Sequence, residues 1–182
     1  VCDALGAVAK RVGGALFAEH LPAVVGALQA VLLKRTECQA TESDAGGGGG
    51  VLLDEDLDME VQLIECASDA AIDVARECGE RMNAFVARLA DACLHYVRGG
   101  DAAYRSLAVG VVAELAEQTG AEAVAPLADA LVEVARGALR DEDATSRSNA
   151  VFLLGALAAK VGRLRPDVLH VAVALAEQHL DD

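Results

Sequence analysis

The residues best placed to do chemistry are the carboxylates of VLLDEDLDMEVQLIE, residues 51 to 65, where Asp54, Asp56, Asp58 and Glu65 fall at positions 1, 3, 5 and 12 of a calcium-binding loop. Such a loop bends sharply at a glycine in position 6, and Met59 stands there. The preceding GGGGGVLL is no entering helix either. The acids are therefore expected in a solvated loop that feeds into a helix N-terminus, where the helix dipole favours negative charge. They have a second use. Nine acids lie between Glu37 and Glu65, among them Glu42, Asp44, Asp54, Glu55, Asp56 and Asp58, opposed only by the flanking Arg35, so the stretch is a candidate surface for a basic protein segment.

Other chemistries find no foothold. The pentaglycine is not followed by Lys and a helix start, so it is not a phosphate loop. Cys78, Cys93 and His95 lack the paired close spacing of metal ligands and are expected to be helical residues, the cysteines acting as small core hydrophobes. His20, His170 and His179 have no Ser or Cys partner in a nucleophile motif. We expect no catalytic residue, no metal and no cofactor.

The elements that would position any binding surface are helical. Hydrophobic residues make up 54% of the 182, mostly Ala, Val and Leu, with Phe17, Phe85, Phe152, Tyr96 and Tyr104 as the aromatics, a palette suited to closely packed helices. The formal charge of -14 repels nucleic-acid phosphates and anionic lipid and favours basic partners. The longest apolar run, LPAVVGALQAVLL at 21 to 33, falls short of the roughly 20 residues that cross a bilayer, so no contact with membrane is expected. Five cysteines at irregular spacing argue against a disulfide framework and fit a reducing compartment. The chain opens at Val1 and ends on a helical pattern trailing into Asp181 and Asp182, and is expected to be a segment of a longer polypeptide.

A repeat organises the chain. RSLAVGVVAELAEQTG, from Arg105 to Gly120, overlays RSNAVFLLGALAAKVG, from Arg147 to Gly162, at an offset of 42 residues. Each stretch has apolar residues at helical spacing, stops at a glycine suited to a left-handed turn, and is followed by a second amphipathic pattern. Gly13 and Gly79 close similar stretches upstream. The gap between those two is longer by roughly one loop's worth of residues, which places an insertion between stacked hairpins. The expected organisation is all-α, an α-solenoid of about four helical hairpins: 1–34, 58–99, 100–141 and 142–182, with an acidic Gly-rich inserted loop at 35–57. Asn149, early in a hairpin helix, is expected to bond the preceding inter-helix turn rather than a partner.

The 42-residue hairpin with Asp four residues before Arg, as in Asp101 to Arg105 and Asp143 to Arg147, resembles the HEAT repeat. The spacing lets the two charges pair within or between hairpins. DEDATSRSNAVFLLGALAAKVG and YRSLAVGVVAELAEQTG are similar to repeats of the importin-β superfamily, within it the importin four branch. The second hairpin departs from the pattern, with Glu60 for the Asp and Ile64 for the Arg. The resemblance implies a nuclear import receptor that shuttles between cytoplasm and nucleus. It implies basic cargo (histones, ribosomal proteins), and Ran GTPase and nucleoporins as partners of the full-length parent. It also implies a concave, cargo-binding surface lined by second helices, here Arg88, Asp91, His95 and Arg98 in one hairpin and Asp129, Glu133, Arg136 and Arg140 in the next. A HEAT scaffold of another class, such as a phosphatase scaffold, a microtubule-associated array or an assembly chaperone, is the alternative.

Overall fold

A computed structural model describes residues 2–36, 39, 54–99, 102–162, 170, 173 and 174, and among them there is no β-strand. The protein is all-α. Helix α1 (Cys2–Val12) turns at Gly13 into α2 (Gly14–Phe17), a 3-10 turn (Ala18–His20) and α3 (Leu21–Leu32). Helix α4 (Asp54–Cys78) leads through a 3-10 turn (Gly79–Met82) into α5 (Asn83–Gly99). Helix α6 (Ala102–Gln118) is followed by α7 (Ala121–Val124), a 3-10 turn (Ala125–Leu127) and α8 (Ala128–Ala138), and then comes α9 (Ala144–Val161).

The helices that open each unit pack in chain order, α1 on α4, α4 on α6 and α6 on α9. Their register is visible in individual contacts. Asn149 of α9 donates its amide to the Ser106 carbonyl of α6 at 2.9 Å, and Lys160 of α9 donates to the Thr119 carbonyl at 2.7 Å. The two helices thus run side by side, bonded at separations of 43 and 41 residues that straddle the 42-residue sequence offset. Between α4 and α6, Arg76 approaches Glu114 at 3.8 Å, and at the start of α5 Asn83 accepts the amide of Gly120, just beyond α6, at 2.8 Å. Asn149 therefore has a structural partner, though it is the neighbouring helix and not the expected inter-helix turn. A turn carbonyl would be unpaired only at a helix end, whereas Asn149 sits over the gap left by Gly110, where an added Cβ would come within 2.9 Å of its amide.

Small residues make this stacking possible. Ala67, Ala70, Ala71, Val74 and Ala75 of α4 are buried, as are Ala108, Val109, Val111, Val112, Ala113, Leu115 and Ala116 of α6. Helix α6 is covered nearly all round, touching α4, α5, α8 and α9, so its apolar residues need no single stripe. At the first turn Gly14 lies so close to α4 that a Cβ would be 2.0 Å from the Glu77 carbonyl oxygen. Only glycine admits that approach.

Three expectations need correcting here. The inserted loop expected over 35–57 ends earlier, since α4 begins at Asp54, where an acidic first turn of Asp and Glu complements the positive end of the helix dipole. Asp54, Glu55, Asp56 and Asp58 are accordingly helical, and a continuous helix over 54–65 cannot wrap a cation as a calcium loop does. Glu42 and Asp44 lie outside the described residues, as do Cys38, His179 and most of the final amphipathic segment.

Gly13, Gly79 and Gly162 have φ of 80°, 54° and 67°, in the left-handed region, but Gly120 does not: its φ is -73° and ψ 152°. Glycine is needed at 120 for a different reason, since a Cβ would lie 2.7 Å from the Asn83 amide nitrogen. Finally, Asp143 and Arg147 do not pair with each other. Asp143 caps α9 by accepting the Ser146 amide at 2.7 Å, and Arg147 donates to the carbonyls of Asp141 (2.9 Å) and Glu142 (2.8 Å).

The stretch Gly14–Leu32 is longer than the apolar run within it, because α2 and the 3-10 turn precede α3, and by length and composition alone it could cross a bilayer. One side of it is taken up by packing, with 28% of the stretch buried. Phe17, Leu21, Val25, Leu28 and Leu32 recur at helical spacing, are all buried, and face α4 and α5.

The end of α3 is fastened to the rest of the protein by a compact polar joint. The Tyr96 hydroxyl donates to the Leu32 carbonyl, closing one of the carbonyls that a helix leaves open at its C-terminus. Tyr96 stacks on Tyr104, with ring centroids 5.2 Å apart. Lys34, whose φ is 53°, places its ammonium 5.3 Å from the centre of the Tyr104 ring and 2.9 Å from the Glu60 carboxylate. Burial is the first cause that raises the Tyr96 pKa, and the hydroxyl stays protonated as the donor this joint requires.

Candidate protein-binding face

Helices α5 and α8 each bury one side and leave the other to solvent. On α5 the buried side is Val86, Leu89, Ala90, Cys93 and Tyr96; on α8 it is Leu131, Ala135 and Ala138. The helical period then turns Arg88, Asp91, His95 and Arg98 outward, all exposed, together with Asp129, Glu133 and Arg140, also exposed, and the half-buried Arg136.

Several of these side chains are already engaged. Arg88 donates through Nε and Nη2 to Oε1 of Gln29 on α3, at 3.2 and 2.7 Å, and so bridges α5 to α3. Arg136 pairs with Glu133 one turn away at 3.1 Å. His95 meets Tyr96 edge-on at a centroid distance of 5.7 Å. Cys93 points into the core, where burial pushes its thiol up to about 12, and Cys78 is likewise raised by burial. Thiols held neutral in this way are inert, and they face away from the exposed His95.

Where α5 ends and α8 runs past α6, the face opens into a cleft of about 790 Å³. Val97, Val109, Val134 and Ala138 are its apolar lining, and Arg98, Glu133, Arg140 and Glu142 are among its charged residues. One wall is an ion pair: Arg105 of α6 donates Nε to Oδ2 of Asp141 at 2.9 Å and Nη2 to Oδ1 at 3.2 Å. This two-pronged bond ties the start of α6 to the turn that follows α8. It holds the Asp141 carboxyl below the usual carboxylate range, with help from the Asp143 amide. Asp143, too, is lowered, first by the Ser146 amide it accepts in capping α9.

The sequence-derived candidates Arg88, Asp91, His95, Asp129, Glu133 and Arg136 thus stand on two neighbouring helices, and of these only Glu133 lines the cleft. Residues 54 to 58 begin α4, at the far end of the α4 helix from Arg76 and the contact with Glu114. The cleft itself was missed. Its signal was present only as Arg105 and Asp141, two opposite charges too far apart in sequence for a helical spacing rule to connect them. The joint of Tyr96, Tyr104, Lys34 and Glu60 was also missed, although the chain's two tyrosines in a matrix of Ala, Val and Leu mark it.

Comparison of the chain with protein-family models, curated proteins and solved structures gives no match in any of the three.

Proposed function

We propose that the chain is a segment of an α-solenoid of HEAT-type hairpins that binds proteins through extended surfaces, as part of a nuclear import receptor carrying basic cargo. The observation that carries this reading is the packing of α1, α4, α6 and α9 each on the next, with α6 and α9 held in register by the Asn149 and Lys160 bonds. Such an array presents its second helices as a continuous surface. The charge of -14 supports a basic partner, and Asp54, Glu55, Asp56 and Asp58, with Glu42 and Asp44, are the proposed acidic contact.

A pull-down with the full-length parent tests the receptor role. GTP-loaded Ran is expected to release a bound histone or ribosomal protein, and failure of Ran to bind the parent rejects it. The acidic contact is tested by deleting residues 40 to 53, which spares Thr36 and Gln39, together with Asp54→Asn, Glu55→Gln, Asp56→Asn and Asp58→Asn, so that all six proposed acids are removed. Affinity for a histone-tail peptide is expected to fall and to lose part of its salt dependence; unchanged affinity and salt slope reject the contact.

The mixed signs along α5 and α8 favour a second reading, a HEAT scaffold of another class, because neither stripe is acidic enough to select basic cargo by itself. A parent that binds neither Ran nor basic cargo, and instead assembles with a stable partner subunit, is its expected behaviour.

A further inference from the structure

We infer that the chain associates head to tail with a second copy of itself, the outward face of α1 on one copy packing against the outward face of α9 on the other. The inference rests on the chain-order packing of α1, α4, α6 and α9 and not on the import role, so failure of the Ran test leaves it standing.

Measured back from the turn glycines Gly13, Gly79, Gly120 and Gly162, the four opening helices share one scale, and neighbours touch at nearly matching levels on it. A Cβ on Gly6, seven residues before its glycine, would lie 2.9 Å from the Cβ of Asp73, six before its own. Thr119 and Lys160, one and two before, are bonded, as are Ser106 and Asn149, fourteen and thirteen before. The same side-by-side contact thus recurs along the chain.

That contact has two halves. The half of α9 that meets α6 is the stripe Asn149, Leu153, Ala156 and Lys160, spaced four, three and four and bonded to α6 at both ends. Leu153, Ala156 and the adjoining Leu157 are buried by it. At the matching levels α1 carries Ala4, Ala7, Val8 and Arg11, and all four are exposed. Val8 is 47% exposed, whereas its counterparts Val74, Leu115 and Leu157 are each at 0%. The half of α6 that meets α9 runs through Ser106, Gly110 and Ala113. Its counterparts on α9 are Ser148, Phe152 and Gly155, again all exposed. Beside them Val151 and Ala158 are only half-covered, where α6 buries Val109 and Ala116.

Each end of the array therefore presents the half that the other end lacks, and a second copy supplies it at the right levels. Ala7 falls opposite Gly155, a pair small enough for close backbone approach. Ala4 and Val8 cover Phe152, removing apolar surface from water on both copies. Arg11 takes the part of Lys160 and donates to the carbonyl of Val161, the counterpart of Thr119. Because the two faces differ, the contact does not close on itself, and association continues past the dimer.

Sedimentation equilibrium of the intact chain tests this. The average mass is expected to rise with concentration beyond that of a dimer. Val8→Asp and Phe152→Asp each spoil one face, so each variant alone is expected to stay monomeric. Mixed in equal amounts, they retain one good α9 face and one good α1 face, and are expected to form a dimer and nothing larger. Both positions are exposed, so helix content and thermal midpoint should hold. Where an Asp variant loses helix content, Ala4→Glu and Ala159→Glu form a second pair with the same expected behaviour. A constant monomer mass up to about 1 mM overturns the inference. So does self-association of either folded variant alone, which would mean that like faces meet, and so does a mixture that stays monomeric.

Discussion

At the scale of single residues, the polar groups of this protein mostly stitch one helical unit to the next. Asn149, Lys160 and Asn83 each reach a residue in another unit, while Arg105 ties the start of α6 to the turn that closes its own. Asp141 is the most connected, accepting Arg105 twice and the Asp143 amide once. Its carboxyl is lowered in the folded protein, while in the unfolded chain it titrates near 3.9. A lowered folded pKa means that the unfolded state binds more protons, so the contribution is present above about pH 4 and is lost as pH falls through the folded value. Asp141→Asn is expected to lower the urea midpoint at pH 7 and to narrow the difference between midpoints at pH 7 and pH 3. The same difference between the two midpoints in wild type and variant would show that the pair does not contribute. Such pairings were only partly legible in the sequence: a rule that links residues four apart cannot find Arg105 and Asp141. It named Asp143 with Arg147 instead, where each side chain serves the backbone.

At the scale of elements, amphipathic period and composition were enough to read an all-α protein, since Ala, Val and Leu at helical spacing have little alternative. The boundaries were less legible. The acids before Glu60 read as loop because of their charge, yet the same charge starts α4 at Asp54. Gly120 read as a left-handed turn, since sequence does not distinguish a glycine kept for φ from one kept for space. The structure predicts different consequences for the two kinds. Gly120→Ala should push Asn83 off both the Gly120 amide and Glu122, with a cost of about 1–3 kcal/mol for the groups left unpaired. In a background that already carries Asn83→Ala, most of that cost should vanish, a non-additivity measurable in a double-mutant cycle. Full additivity would refute the steric account.

At the scale of the whole molecule, small side chains let the opening helices approach closely, and the principal contacts follow chain order. Stability in such an arrangement is shared unevenly, and units joined by few contacts open first. Hairpin α1–α3 meets the rest along α4 and α5 and through the joint at Lys34. The Glu60 side chain is only 14% exposed, so removing its cation leaves a nearly buried charge unpaired. Lys34→Met should therefore speed amide hydrogen exchange in α1–α3 well before α6 and α9 respond. Uniform acceleration across all helices would show instead that the protein opens as one unit.

That same joint has an optical consequence. The chain contains no Trp and two Tyr, and both rings lie stacked there, one of them bonded through its hydroxyl to a main-chain oxygen. All of the molecule's tyrosine emission therefore originates from a single contact between α3, α5 and α6. Unlabelled protein carries a built-in lamp at its seam, and any event that pries the first hairpin loose will change the brightness before the helical circular dichroism moves.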